Sequence, residues 1–107
     1  MKLIQTLFVS NHARKQAASR SIPPSTFWAA DREARRTGLK DKMVLQHQKL
    51  TPMLTDSIVH LKVGECLYKA SKAEITTRLI LDGITFAIGI RKRGDDYTPL
   101  TCVTTWS

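Results

Sequence analysis

Ile75-Thr76-Thr77-Arg78-Leu79-Ile80-Leu81-Asp82-Gly83-Ile84-Thr85-Phe86-Ala87-Ile88-Gly89-Ile90 decides the fold of this chain. Side chains on a strand point to alternate faces. Here Ile75, Thr77, Leu79 and Leu81 alternate with Thr76, Arg78 and Ile80, and Ile84, Phe86, Ile88 and Ile90 share one face of the return. Asp82-Gly83 between the two runs is a strong hairpin signal, because both positions tolerate positive φ. The stretch therefore predicts two long antiparallel strands, and the rest of the chain has to pack around them.

Downstream, Arg91-Lys92-Arg93-Gly94-Asp95-Asp96 reads as a charged turn. Leu100 to Trp106 reads as a last strand, placed among other strands because it carries no breaker. Upstream, Ile58 to Val63 is a strand that Gly64-Glu65 turns into Cys66 to Ala70. Residues 39–57 stay open: Met43, Leu45 and Leu50 suit a strand or a short helix, and Pro52 breaks the run. A helix is predicted from Pro24 or Ser25 to about Thr37. Phe27, Ala30 and Ala34 form its apolar stripe, Asp31 and Arg35 an i, i+4 ion pair, and Gly38 its stop. Another helix spans Asn11 to about Arg20, capped by Ser10 or Asn11, with Ala13 and Ala17 small enough for close packing. It ends before Ser21-Ile22-Pro23-Pro24, where two prolines force an extended path. Lys2 to Val9 reads as a first strand, with a helical start as the rival. The order is β-α-α followed by an antiparallel meander. This indicates an α+β fold: an N-terminal strand and two helices packed on a four- to five-stranded, mainly antiparallel sheet.

At 107 residues the chain is expected to be a single domain over 1–107 with one core. Its formal charge is +8 and its pI about 9.9. The excess is uneven: residues 1–50 carry ten Lys/Arg against three Asp/Glu, and residues 51–107 seven against six. A concentrated positive field favours RNA or another polyanion, or an acidic protein partner, although it also serves solubility. Cys66 and Cys102 lie in apolar, strand-like runs and are expected to be buried free thiols of a reducing cytoplasm. No apolar run approaches the ~20 residues of a membrane span. Leu3 to Val9 is too short and polar for a signal sequence, so an unprocessed cytoplasmic protein without a membrane partner is expected. The cysteines and histidines lack zinc spacing, and no P-loop, dinucleotide Gly pattern or Gly-x-Ser-x-Gly occurs, so no metal or cofactor is expected.

His12, Gln16 and Arg20 recur at four-residue intervals and share one side of the first helix. A proton-moving imidazole then sits in line with a fixed cation that holds phosphate. The segment His12-Ala13-x-x-Gln16-x-x-x-Arg20-Ser21-Ile22 resembles the opening of a family of small bacterial and phage domains. Those domains are grouped with the barnase, EndoU, colicin and RelE-like superfamily of toxin ribonucleases. They open with a strand, then His-Ala, a basic residue four positions after the His, an Arg eight positions after it and Gly-Ile. They close on a hydrophobic strand carrying a Thr. His12, Ala13, Arg20 and Ile22 match, and Thr104 is the best match for the closing Thr. Gln16 departs from the basic residue and Ser21 from the Gly. Lys15 could supply the missing charge but lies about 100° around the helix.

The resemblance implies metal-independent RNA cleavage. His12 would take the proton from a ribose 2′-hydroxyl or give one to the leaving 5′-oxygen, Arg20 would clamp the phosphate, and Thr104 would orient it. Imidazole titrates near neutral pH, which suits both proton steps. A second acid or base is not clearly supplied; His60, on an expected strand, is the best spare candidate, ahead of Lys15 and Tyr97. Each residue also has a structural use: His12 at its helix cap, Arg20 paired with Asp31 or Glu33, Thr104 as a β-former, His47 and His60 in the core.

Arg14 and Lys15 on the first helix, and Arg32, Arg35 and Arg36 with Lys40 and Lys42 further on, form a candidate phosphate track. Arg91 and Arg93, at a hairpin tip, are candidates to reach a groove of nucleic acid, opposed by Asp95 and Asp96. Of the neighbours Phe27 and Trp28 only one can face the core, which leaves the other for a base or a protein partner. Two functions are expected to compete. One is a small, basic, toxin-like ribonuclease or RNA-binding protein with an antitoxin or host partner. The other is a non-enzymatic phage or mobile-element protein that binds a host protein or nucleic-acid complex, a reading that Gln16 favours.

Overall fold

The computed structural model describes residues 7–107. Of the strand expected over Lys2 to Val9, the part at residues 2–6 lies outside the described residues; Phe8–Val9 is the first strand, β1. Three helices follow, α1 (Asn11–Ser19), α2 (Ser25–Thr37) and α3 (Leu39–Leu50), then a 3-10 turn over Thr51–Met53. The remainder is β: β2 (Val59–Val63), β3 (Cys66–Ala70), β4 (Glu74–Leu81), β5 (Ile84–Arg93), β6 (Asp96–Tyr97) and β7 (Thr101–Trp106). The fold is α+β as expected; among the described residues it has seven strands instead of four to five, and a third helix, α3, within residues 39–57.

The sheet runs β1-β7-β5-β4-β3-β2, with β6 added to β5. All pairs are antiparallel except β1 with β7. The last strand thus lies between β5 and β1, among other strands as its sequence suggested. Asp82 and Gly83 take φ of 49° and 80° at the β4–β5 turn, the mirror-image geometry that follows the twist of both strands.

One sheet face is buried beneath the helices. Ile75, Phe86, Ile88, Ile90 and Cys102 point into it, and Phe27 of α2 meets Phe86 edge-on with ring centroids 5.9 Å apart. Phe27, Ala30 and Ala34 are buried on α2, and Asp31 accepts the Leu7 N–H at 2.8 Å while pairing with Arg35 at 3.0 Å. Gly38, at φ 64° and ψ 39°, stops α2 and turns the chain directly into α3. The buried residues of α3 are Met43, His47 and Leu50, while Leu45 is exposed. A histidine occupies the middle of the apolar stripe and hides its helical period.

His47 is structural. Its Nε2–H donates to the Ser71 carbonyl at 2.9 Å, because a carbonyl can only accept. Nδ1 lies 2.6 Å from the Tyr97 hydroxyl, so the ring ties α3 to β6 and the β3–β4 turn. Cys102 is buried as expected, but Cys66 is exposed beside the β2–β3 turn, contrary to expectation.

Candidate functional site

Helix α1 seals the edge of β7 where β1 stops. Strand β1 reaches only as far as Ser10, whose N–H donates to the Cys102 carbonyl at 3.1 Å. Beyond it the edge is closed by side chains: the Ser10 hydroxyl donates to the Val103 carbonyl at 3.2 Å and Arg20 Nη1 to the Thr105 carbonyl at 3.4 Å. Ser10 Oγ also accepts the Ala13 N–H at 3.1 Å, so the helix cap and the sheet edge share one hydroxyl. Ala13 and Ala17 are buried beneath, small enough to let the helix approach.

A bulge aims the rest of the strand. Ala87 pairs with Thr104 and Ile88 with Cys102, which leaves Val103 extra. Strict alternation would place Cys102, Thr104 and Trp106 on one face. The extra residue instead puts Cys102 and Thr105 in the core, both fully buried, and turns Thr104 and Trp106 to the opposite, open face. There the Thr104 hydroxyl donates to Gln16 Oε1 at 2.6 Å. Gln16, Arg20 and Thr104 therefore form one polar seam along β7. His12 stands one turn before Gln16 on the same side of α1, exposed, and among the described residues its ring makes no hydrogen bond. Arg20 does not pair with Asp31 or Glu33; its guanidinium keeps further N–H groups beyond the one spent on Thr105.

The seam borders a groove of about 500 Å³ on the open face. His60 and Lys62 of β2, Lys69 of β3, Arg78 of β4, and Thr104 and Trp106 of β7 line it. The Arg78 guanidinium carbon lies 5.7 Å from the centre of the Trp106 ring. Glu74 is the one carboxylate in the lining, and Arg91 pairs with it at 3.5 Å. Permanent cations thus outnumber acids in the groove, and ring, hydroxyl and imidazole groups stand among them.

The other sequence-predicted cations are spread elsewhere. Arg14 and Lys15 are exposed on α1. Arg32, Arg35 and Arg36 belong to α2, on the far side of the sheet from the groove; Arg35 is held by Asp31, and Arg36 pairs with Glu33, whose carboxyl its hydrogen bond pulls below the usual range. Half-exposed Trp28 is on that side too. Arg91 serves the groove only through Glu74, and Arg93 is exposed at the end of β5. Lys62, Lys69, Arg78 and Trp106 are the groove residues that sequence reasoning missed. The first three carried a signal: each stands at an outward position of its strand.

No family model matches the sequence, and neither the curated proteins nor the solved structures offer a match. Among the described residues no helix is long and apolar enough to cross a membrane.

Proposed function

We propose that this chain is a small basic RNA-binding protein that receives its ligand on the open face of the sheet, with the α1–β7 seam as the place of a metal-independent cleavage. One observation carries the reading: Lys62, Lys69 and Arg78 come from three different strands to one concave face, against the single, already paired Glu74. Cations spaced over a surface neutralise successive phosphates and bind with strong salt dependence.

The cleavage chemistry rests on the resemblance. His12 takes the 2′-hydroxyl proton, the 2′-oxygen attacks the phosphorus, and the bond to the 5′-oxygen breaks. The departing oxygen receives a proton from water; His60, on β2, lies four strand spacings of ~4.8 Å, about 19 Å, from β7 and is too far from His12 to share one phosphate with it. Arg20 holds charge on the phosphate oxygens with its remaining N–H groups. The products are a 2′,3′-cyclic phosphate and a 5′-hydroxyl.

A second reading is a binding protein without catalysis, and the Gln16–Thr104 bond favours it. A neutral amide stands where the family carries a cation, and it occupies the hydroxyl meant for phosphate. Incubation with total RNA, comparing wild type with His12→Ala, separates the two. Cyclic-phosphate ends made by wild type and lost in the variant support the enzyme. Salt-dependent RNA binding with no new ends supports the binder. Absence of RNA binding at low salt overturns the RNA reading altogether.

A further inference from the structure

We infer that the Arg78–Trp106 pair is a stacking platform for one unpaired base, so that the groove selects single-stranded over double-stranded RNA; the inference rests on the RNA-binding reading. Phosphate cations alone do not explain what lines the groove. Lys62 and Lys69 stand at its β2–β3 end, and Trp106 closes the β7 end. Three strand spacings of ~4.8 Å separate β3 from β7, about 14 Å. Between the two ends the floor is Thr76, Ala87 and the stem of Arg78, with no second acid after Glu74.

Trp106 is placed for contact and is not needed as core. The Val103 bulge turns it out of the buried face, and the residue is left partly exposed, outside the core cluster and beneath an exposed arginine. An indole and a guanidinium both present a flat surface to a nucleobase, and such stacking tolerates any base identity. In a duplex each base has both faces covered by its neighbours, so only an unstacked base can reach the platform. The cations then hold the phosphates on one side of that base, and the polar seam of α1 and β7 lies on the other.

The test is binding of a short fluorescein-labelled RNA, single-stranded or annealed to its complement. It is performed in a His12→Ala background, so that the RNA is not consumed, by wild-type-platform, Trp106→Ala and Trp106→Phe proteins. The expected result is tighter binding of the single strand. Trp106→Ala should weaken that binding roughly five- to a hundredfold, the range for one lost base stack, with duplex binding unchanged and with Trp106→Phe close to the parent. Should the alanine variant fold poorly, Trp28→Phe leaves Trp106 as the single indole, and its fluorescence must be quenched by the single strand and not by the duplex. Equal affinity for both forms, or no loss and no quenching at Trp106, overturns the platform and leaves RNA binding standing. No binding of either form overturns the RNA reading with it.

Discussion

Ser10 shows how much one side chain can carry at a junction. Its hydroxyl caps α1 through the Ala13 N–H and ties the same turn to the Val103 carbonyl. Ser10→Ala loses a cap and a cross-strand bond together, and the expected cost is about 2 kcal/mol in a denaturant titration. The two cysteines make an opposite pair. Burial pushes the Cys102 thiol up to about 11, whereas Cys66 is exposed. A thiol reagent at mildly alkaline pH should modify Cys66 at once and Cys102 only on unfolding. The folded chain holds the Cys102 proton more tightly than the unfolded one. Its contribution to stability is therefore complete below the ordinary thiol range and is lost as pH rises toward about 11. Two pKa units correspond to about 3 kcal/mol. Burial also raises Tyr68 and Tyr97, which act in the same direction. Denaturation midpoints should thus fall over this alkaline window, and Cys102→Ala should flatten the fall; a midpoint insensitive to alkali would refute the account of this thiol.

Among the elements, those with a clean period were legible in the sequence. The β4–β5 hairpin followed from alternation and Asp82-Gly83, and α2 from Phe27, Ala30, Ala34 and the Gly38 stop. Helix α3 was not legible, because its inward stripe runs through His47, whose burial depends on Ser71 and Tyr97 from distant segments. The bulge in β7 was equally hidden: no glycine marks Val103, and the extra residue exists only relative to the register of β5. It decides where Thr104 points, so the orientation of the seam could not be read from the strand alone. Deleting Val103 makes a direct test. The shortened strand alternates regularly with Cys102 and Thr105 still inward, so the protein should fold with an unchanged far-ultraviolet spectrum. Loss of the bond to Ser10 should cost about 1 kcal/mol. A chain that fails to fold would mean that the bulge is needed for more than parity.

For the molecule as a whole, net charge by sequence half does not locate the cations that line the groove. The basic N-terminal half spends Arg35 and Arg36 on ion pairs and places α2 behind the sheet. The nearly neutral C-terminal half supplies Lys62, Lys69 and Arg78 to the groove, because its acids Glu65, Asp82 and Asp95 sit in turns. Folding sorts charge by strand parity, which a count along the chain averages away. Of the candidate site, the seam was visible as a four-residue spacing, while the groove needed the pairing of five strands. On the proposed function, nucleic acid lies on the open face of the sheet and not on the helical face. The most direct test is the salt dependence of affinity for a single-stranded RNA, measured for wild type, for Lys62→Gln/Lys69→Gln and for Arg32→Gln/Arg36→Gln. Removing two phosphate contacts on the sheet should lower the slope of log affinity against log salt by about 1.4, with the helix pair leaving it near the wild-type value. An unchanged slope for the sheet pair, together with a reduced slope for the helix pair, would contradict it.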